Sequence, residues 1–184
     1  SDIINGILPK TDAVDFLVGY FYYSGYVQLS ENLKNKRIRI LVGLDIEVQI
    51  SKHVSEVENF RQKLLSRGVL KEHYYSEFVK AFNDTDFLDT AEKIEQFKMF
   101  YAKILDGTLE IRKTLDPCHS KMYLFVYNES MNEGGELPGV MITGSSNLSY
   151  QGMQGRLELN ARFNDKADYD EGHEIFKELW RDAV

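Results

Sequence analysis

The chain has 184 residues, of which 43% are apolar, with 11 Tyr and 11 Phe to fill a core, so one folded domain is expected and general disorder is excluded. Its 22 Lys and Arg against 29 Asp and Glu give a formal charge of −7, which excludes a wholly basic nucleic-acid module but not a local basic patch. No apolar run approaches the roughly 20 residues of a membrane crossing, no secretory signal opens the chain, and a single cysteine, Cys118, makes neither an internal disulfide nor a cysteine zinc site. A reducing, cytoplasmic compartment and no membrane partner are therefore expected, and the opening Ser1 in place of Met suggests a fragment of a longer protein.

In chain order, Ala13–Phe21 is a short apolar run bounded by polar residues and predicts a strand. Ser24 offers an N-cap for a helix through about Leu33. Arg37–Gly43, with Ile38, Ile40 and Val42 alternating against Arg37, Arg39 and Leu41, predicts the next strand. Strand, helix, strand points to an α/β sheet. Residues 51–106 read as a helical insertion. Val54, Val57, Arg61, Leu64 and Leu65 have helical spacing up to Gly68, and a second stretch covers about Ser76–Phe82. The third helix runs from Asp89 to Leu105, with Asp89 and Glu92 as a near capping box and Gly107 as its stop. The last third returns to strands at Thr108–Thr114, Cys118–Tyr127, Gly139–Thr143 and Arg156–Phe163, the last with Leu157, Leu159 and Ala161 on one face. A terminal helix from about Lys166 to Ala183 carries Ile175, Leu179 and Trp180.

The chemistry concentrates in Cys118–Phe125, CHSKMYLF. Alternation along a strand puts His119 and Lys121 on one face and Ser120 and Met122 on the other. A histidine beside an ammonium suits an anion: the lysine supplies fixed charge, and the imidazole attacks or donates a proton. The segment Gly144–Ser149, GSSNLS, follows the strand ending at Thr143, and Ser145 and Asn147, again two apart, can donate hydrogen bonds to phosphate oxygens. Glu158 lies in the next strand, where a carboxylate can hold the second nitrogen of a histidine.

The order H-x-K, then G-S-x-N, then a glutamate eleven residues after that asparagine resembles the phospholipase D superfamily, the HKD phosphodiesterases, with His119, Lys121, Ser145, Asn147 and Glu158 matching residue by residue. The resemblance covers nearly the whole chain. It implies a single domain over 1–184, with a mixed sheet flanked by helices and one H-x-K motif per chain. The opening DFLVGYFYYSGY, RIRILVGLD and the closing DKADYDEGHEIFKELWRDAV look like a bacterial subgroup in which this domain precedes a superfamily-two helicase engine. The chain has no phosphate-binding loop of the G-x-x-x-x-G-K-[ST] kind, so the resemblance implies an ATPase beyond Val184. One departure is Val126, five residues after Lys121, where the family motif has an aspartate; its parity is opposite to the histidine and lysine, which assigns the missing group to structure. Arg156 replaces a small polar residue before the glutamate.

Family chemistry implies cleavage of a phosphodiester through a phosphohistidine, without metal or other cofactor, by two H-x-K motifs. One motif per chain implies a homodimer that brings two copies of His119 to one phosphate. The expectation is a nuclease-like domain acting on or binding DNA in a helicase-linked DNA-processing or restriction protein. The alternatives are a non-catalytic DNA-binding or dimerisation module and, more weakly, a lipid phosphodiesterase.

Blander roles compete residue by residue. Ser145 and Asn147 also form turns, and Glu158 also suits a strand surface. Cys118, of opposite parity to His119, reads as an apolar filler. His53, His73 and His173 read as surface residues. Tyr20, Tyr22, Tyr23 and Tyr26 read as core and helix entry, with base stacking as the alternative. Lys34, Lys36, Arg37 and Arg39 read as a solvated strand edge, with a phosphate track as the alternative. Arg112 and Lys113 precede the histidine strand and are candidates for a place nearer the site.

Overall fold

In the computed structural model, which describes residues 2–46, 90–149 and 159–184, the first apolar run becomes the middle of a sheet. The elements in chain order are α1 (Asp2–Ile7), a 3-10 turn at Leu8–Lys10, β1 (Thr11–Phe21), α2 (Tyr23–Val27), α3 (Ser30–Leu33), β2 (Arg37–Ile46), α4 (Ala91–Asp106), β3 (Leu109–Lys113), β4 (Met122–Tyr127), a 3-10 turn at Glu133–Gly135, β5 (Gly139–Gly144), β6 (Asn160–Phe163) and α5 (Lys166–Asp182). Among the described residues the strands form one mixed sheet in the order β3-β2-β1-β4-β5-β6. β1 runs parallel to β2, and β2 to β3, while β4, β5 and β6 continue as an antiparallel set from the other side of β1. The expected α/β mixed sheet flanked by helices is what forms.

Alternation along the strands sends two sets of side chains to two faces. Val14, Phe16 and Val18 of β1 join Ile38, Ile40 and Val42 of β2 and Tyr123 and Phe125 of β4 in the larger core. That core is closed by α1, α2, α3 and α4. The opposite face carries Leu17, Leu41, Met122 and Leu124 under α5, which contributes Tyr169, Phe176 and Trp180. A sheet buried on both faces explains why β1 reads as a continuous apolar run rather than an alternating one.

One charged group enters that second layer. Asp15 is fully buried and accepts from Arg39 Nε and Nη2 at 2.6 and 2.5 Å. The Arg39 guanidinium lies 4.9 Å from the Phe176 ring centroid and 5.4 Å from that of Trp180. The basic run is solvated only in part: Lys34 and Arg37 are exposed, but β2 is interior to the sheet rather than an edge, Lys36 donates to the Thr11 carbonyl and Arg39 serves a buried ion pair. The Arg112 side chain is engaged under α5. Its guanidinium sits 4.5 Å from the Trp180 centroid and donates to the Trp180 carbonyl. Lys113, its neighbour, exchanges backbone hydrogen bonds with Val184. The chain leaves β3 along β2, Thr114 N–H donating to the Val42 carbonyl and Cys118 N–H to that of Gly43, while the Arg112 side chain is taken up by Trp180 under α5.

The helices begin and end for local reasons. Thr90, not Asp89, caps α4: its hydroxyl accepts from the Lys93 N–H at 3.2 Å. Phe97, Phe100, Tyr101 and Ile104 form its buried stripe, and Gly107, at φ 80°, ends it in the left-handed conformation. Asp165 caps α5 by accepting from Ala167 N–H at 2.8 Å. The buried stripe of α5 is Tyr169, Gly172, Phe176 and Trp180, so Ile175 faces outward at 46% exposure. The single helix expected from Ser24 to Leu33 is instead two short turns, α2 and α3. The residue before α2 is Tyr22, which offers no side-chain cap. Among the described residues, no helix is long and apolar enough to cross a membrane. The expected helices around Val54–Gly68 and Ser76–Phe82, with His53 and His73, lie outside the described residues.

Candidate functional site

The topology assembles the site. Because β4 is antiparallel to β1, with Leu17 opposite Met122, the residues just before Met122 lie beside the residues just after Leu17. Because β5 is antiparallel to β4, with Met122 opposite Thr143, the loop after Gly144 comes to the same end of the sheet. Three segments far apart in the chain, around 19–22, 118–121 and 144–149, therefore meet.

The histidine segment precedes the strand rather than lying in it. The expected strand Cys118–Tyr127 starts at Met122, because the Cys118 N–H is spent on the Gly43 carbonyl at 2.9 Å and not on a ladder partner. The Cys118 backbone packs so closely on Gly43 that a side chain there would collide with the Cys118 carbonyl. Lys121 is anchored from the other side: its carbonyl accepts from Thr143 Oγ1 at 2.8 Å and from Gly144 N–H at 3.3 Å. Cys118 packs on the Leu17–Trp180 layer, the apolar filling expected of it.

His119 is exposed, while Lys121 is only 5% exposed. Lys121 Nζ lies 2.9 Å from His119 Nε2 and donates to the His119 carbonyl at 2.7 Å. An ammonium has no lone pair to offer. In that contact Nε2 is therefore the acceptor, and the ring proton belongs to Nδ1. Nε2 then carries the lone pair that a nucleophile needs, and Nδ1 presents the N–H that a carboxylate would hold.

Asn147 reaches the same point. Its Oδ1 accepts from the Tyr20 backbone N–H at 3.1 Å, which turns the amide Nδ2 away from the strand as a donor. The meeting place is Gly19. A β-carbon at Gly19 would lie 3.1 Å from His119 Cδ2, 3.3 Å from Asn147 Oδ1 and 3.5 Å from Lys121 Nζ. Glycine inside a strand often marks close approach of another group, and here it gives three polar side chains a common floor. This residue was missed in the sequence, though a glycine within an apolar strand was the available signal.

The rest of the loop is fixed rather than open. The Leu148 carbonyl accepts from Tyr22 N–H at 3.0 Å, and Tyr123 OH donates to the Ser146 carbonyl at 2.7 Å. Ser145 is placed differently from Asn147: its hydroxyl accepts from Leu159 N–H at 3.2 Å, and its N–H donates to the Leu159 carbonyl at 3.1 Å. It thereby clamps the chain entering β6 beside the site. Glu158 and Arg156 lie outside the described residues. Leu159, expected on an apolar face, is 85% exposed; it precedes β6, the edge strand of the sheet among the described residues. Among the described residues, no group of three or more His, Cys, Asp or Glu side chains is placed to hold a metal ion.

Of the four tyrosines in the first run, Tyr23 and Tyr26 are core, at 3% and 2% exposure. Tyr20 and Tyr22 are not. The Tyr20 ring meets the His119 ring edge-on at 6.3 Å, and Tyr22 stacks on Tyr20 at 6.5 Å.

Residues 12–180 match the family described as cardiolipin synthase, PLD-like domain. No curated protein matches the sequence. Among solved structures, the chain is similar to polyphosphate kinase from Porphyromonas gingivalis, at TM-score 0.48 and 12% identity over 98% of this chain, and it spans 19% of that kinase. It is also similar to Nuc, a phospholipase D family member from Salmonella typhimurium, at TM-score 0.46 and 11% identity, over 100% of this chain and 88% of Nuc.

Proposed function

The chain belongs to the PLD-like domain family, and on that premise we propose that it is a phosphodiesterase whose nucleophile is His119. The observation that carries the reading is the convergence of His119, Lys121 and Asn147 on Gly19. A lone-pair nitrogen, a fixed positive charge and an amide donor around one small floor are what an attacked phosphate requires.

His119 Nε2 attacks phosphorus, and the bond from phosphorus to the leaving oxygen breaks. A second histidine gives that oxygen a proton. Water then attacks the phosphohistidine, loses its proton to the second histidine and releases His119. The second histidine is His119 of another copy of the chain, so the working form is a homodimer with a shared site. Lys121 and Asn147 hold the non-bridging oxygens and offset the charge that builds on them. Glu158 holds Nδ1–H of the nucleophile. Ser145 keeps the loop and the start of β6 in place and turns its hydroxyl to a phosphate oxygen when substrate binds. The substrate is nucleic acid, and the domain works within a helicase-linked DNA-processing or restriction protein.

The test is hydrolysis of DNA by the purified chain, with and without chelator, against His119→Ala. Turnover should survive chelator and disappear in the variant. Sedimentation at micromolar concentration should give about twice the 21.3 kDa chain mass. Activity that persists in His119→Ala, or a strict monomer with full activity, overturns the mechanism. Salt-dependent DNA binding without cleavage would favour the non-catalytic module.

A further inference from the structure

The β1 strand is misaligned where it reaches the site. Val18 and Phe21 both enter the larger core, although residues three apart in a regular strand point to opposite faces. The break lies beside a register slip in which Val18 faces Val42 and Tyr20 faces Asp45, so the extra residue is on β2. Such irregularities re-aim side chains next to active sites. Beside it Gly19 is the floor under His119, and the Tyr20 ring meets the His119 ring with 80° between their planes. Tyr22 continues outward, stacked on Tyr20 with 28° between planes. It is 42% exposed, whereas its neighbours Phe21 and Tyr23 are 0% and 3%.

We propose that Tyr22, backed by Tyr20, is a nucleobase-stacking platform, and that the substrate is therefore single-stranded nucleic acid with a base beside the reacting phosphate lying on the Tyr22 ring. The proposal rests on the phosphodiesterase reading above and names its substrate class. Three features support it. Both rings stand on backbone pinned to the phosphate loop, through Tyr20 N–H to Asn147 Oδ1 and Tyr22 N–H to the Leu148 carbonyl, so the platform is set before substrate arrives. Every base has a π-face, but in a duplex those faces are already stacked, so an exposed ring selects unpaired strand. The chain's net charge of −7 disfavours a long electrostatic track along a phosphate backbone, so affinity must come from contacts of another kind. A lipid headgroup offers no aromatic face to such a ring.

The experiment uses the full chain and two single-stranded probes of about ten nucleotides, one with bases and one with tetrahydrofuran abasic residues throughout, each followed by hydrolysis and by fluorescence anisotropy. Wild type should prefer the base-bearing probe by about five- to a hundred-fold in KM or Kd, the range for one stacked base. Tyr22→Leu should abolish the preference by weakening handling of the base-bearing probe to the level of the abasic one. Tyr22→Phe, which keeps the ring, should retain it. The duplex form should behave no better than the abasic probe. Equal handling of the two single-stranded probes by wild type, or a preference that survives in Tyr22→Leu, overturns the platform and leaves the phosphodiesterase standing. If wild type neither cleaves nor binds either probe, both readings fall.

Discussion

The backbone N–H of Tyr20 donates to Oδ1 of Asn147 at 3.1 Å, across 127 positions of sequence. An N–H needs an acceptor, so this bond fixes which end of the amide faces the strand and which end is left to donate to a phosphate. Aspartate at 147 would keep the acceptor, lose the donor and add a negative charge. Asn147→Asp should therefore fold as wild type does, yet lose its response to inorganic phosphate and at least about a hundred-fold in turnover, the size of one lost oxyanion donor. Asn147→Ala should lose the same turnover and about 1 kcal/mol of stability besides, because the Tyr20 N–H loses its partner. Thermal unfolding and a phosphate titration followed by NMR separate the two. A wild-type phosphate response in Asn147→Asp would remove Asn147 from the site.

Gly19→Ala tests the floor itself. The added methyl would stand 3.1 Å from His119 Cδ2 and 3.3 Å from Asn147 Oδ1, so both side chains must move by a few tenths of an ångström. Neither is in the core, so unfolding should change by less than about 1 kcal/mol. Misplacement of reacting groups is costly out of proportion to its size, and kcat should fall by about ten- to a hundred-fold. Unchanged kcat would mean that the three side chains do not act from the positions found here.

Much of this was legible in the sequence because it depends on residue type at fixed spacing. His119 and Lys121 meet because a two-residue step returns a side chain to the same side, and that held even though the residues precede β4 rather than lie within it. Asn147 was legible as a polar loop residue after a strand, but its partner Tyr20 was not, since only the pairings of β4 with β1 and of β5 with β4 bring them together. Gly19 was hidden for the same reason. Asp15 is a charge inside the apolar run AVDFLVGYF. That was a signal of a buried partner, yet nothing local points to Arg39 on another strand. The start of α4 was misread by one residue: Thr90 takes the cap, its hydroxyl accepting from Lys93 N–H. The tyrosine run was ambiguous because it crosses from strand to helix: Tyr20 lies near the end of β1 and Tyr22 precedes α2, whose buried side carries Tyr23 and Tyr26, and composition does not mark that change of period.

The Asp15–Arg39 pair should show the asymmetry of buried ions. Asp15 is 0% exposed and Arg39 14% by side chain. Asp15→Asn leaves the guanidinium between Phe176 and Trp180 without its counter-charge, and should cost about 3–5 kcal/mol. Replacing both, as Asp15→Leu with Arg39→Met, should cost much less, since the rings can pack on the methionine. Urea denaturation measures both. A single variant within about 1 kcal/mol of wild type would show that water reaches the pair.

His173 gives the α5 layer a pH dependence whose sign follows from what surrounds it. From its own helix it faces Lys177, Glu174 and the Tyr169 ring, and from the sheet Asp15, 3.7 Å from its Nε2, with Arg39 beside. Burial of the ring holds it below the ordinary 6.5; Lys177 and Arg39 push the same way, and the attraction of Asp15 and Glu174 does not reverse the balance. The folded state thus takes up this proton less readily than the unfolded chain does. The neutral ring's contribution is complete above about pH 6.5 and is lost as pH falls through that value toward the lower folded one, below which the loss stops growing. His173→Gln keeps a neutral polar side chain and removes the titration. The stability of wild type relative to this variant, from urea curves at stepped pH between about 7.5 and 5, should decline as the pH is lowered. A flat difference would mean that His173 is as well solvated in the folded protein as in the unfolded chain. A difference that rises on acidification would mean that the Asp15 carboxylate outweighs burial, and that the ring is held as a cation over the buried ion pair.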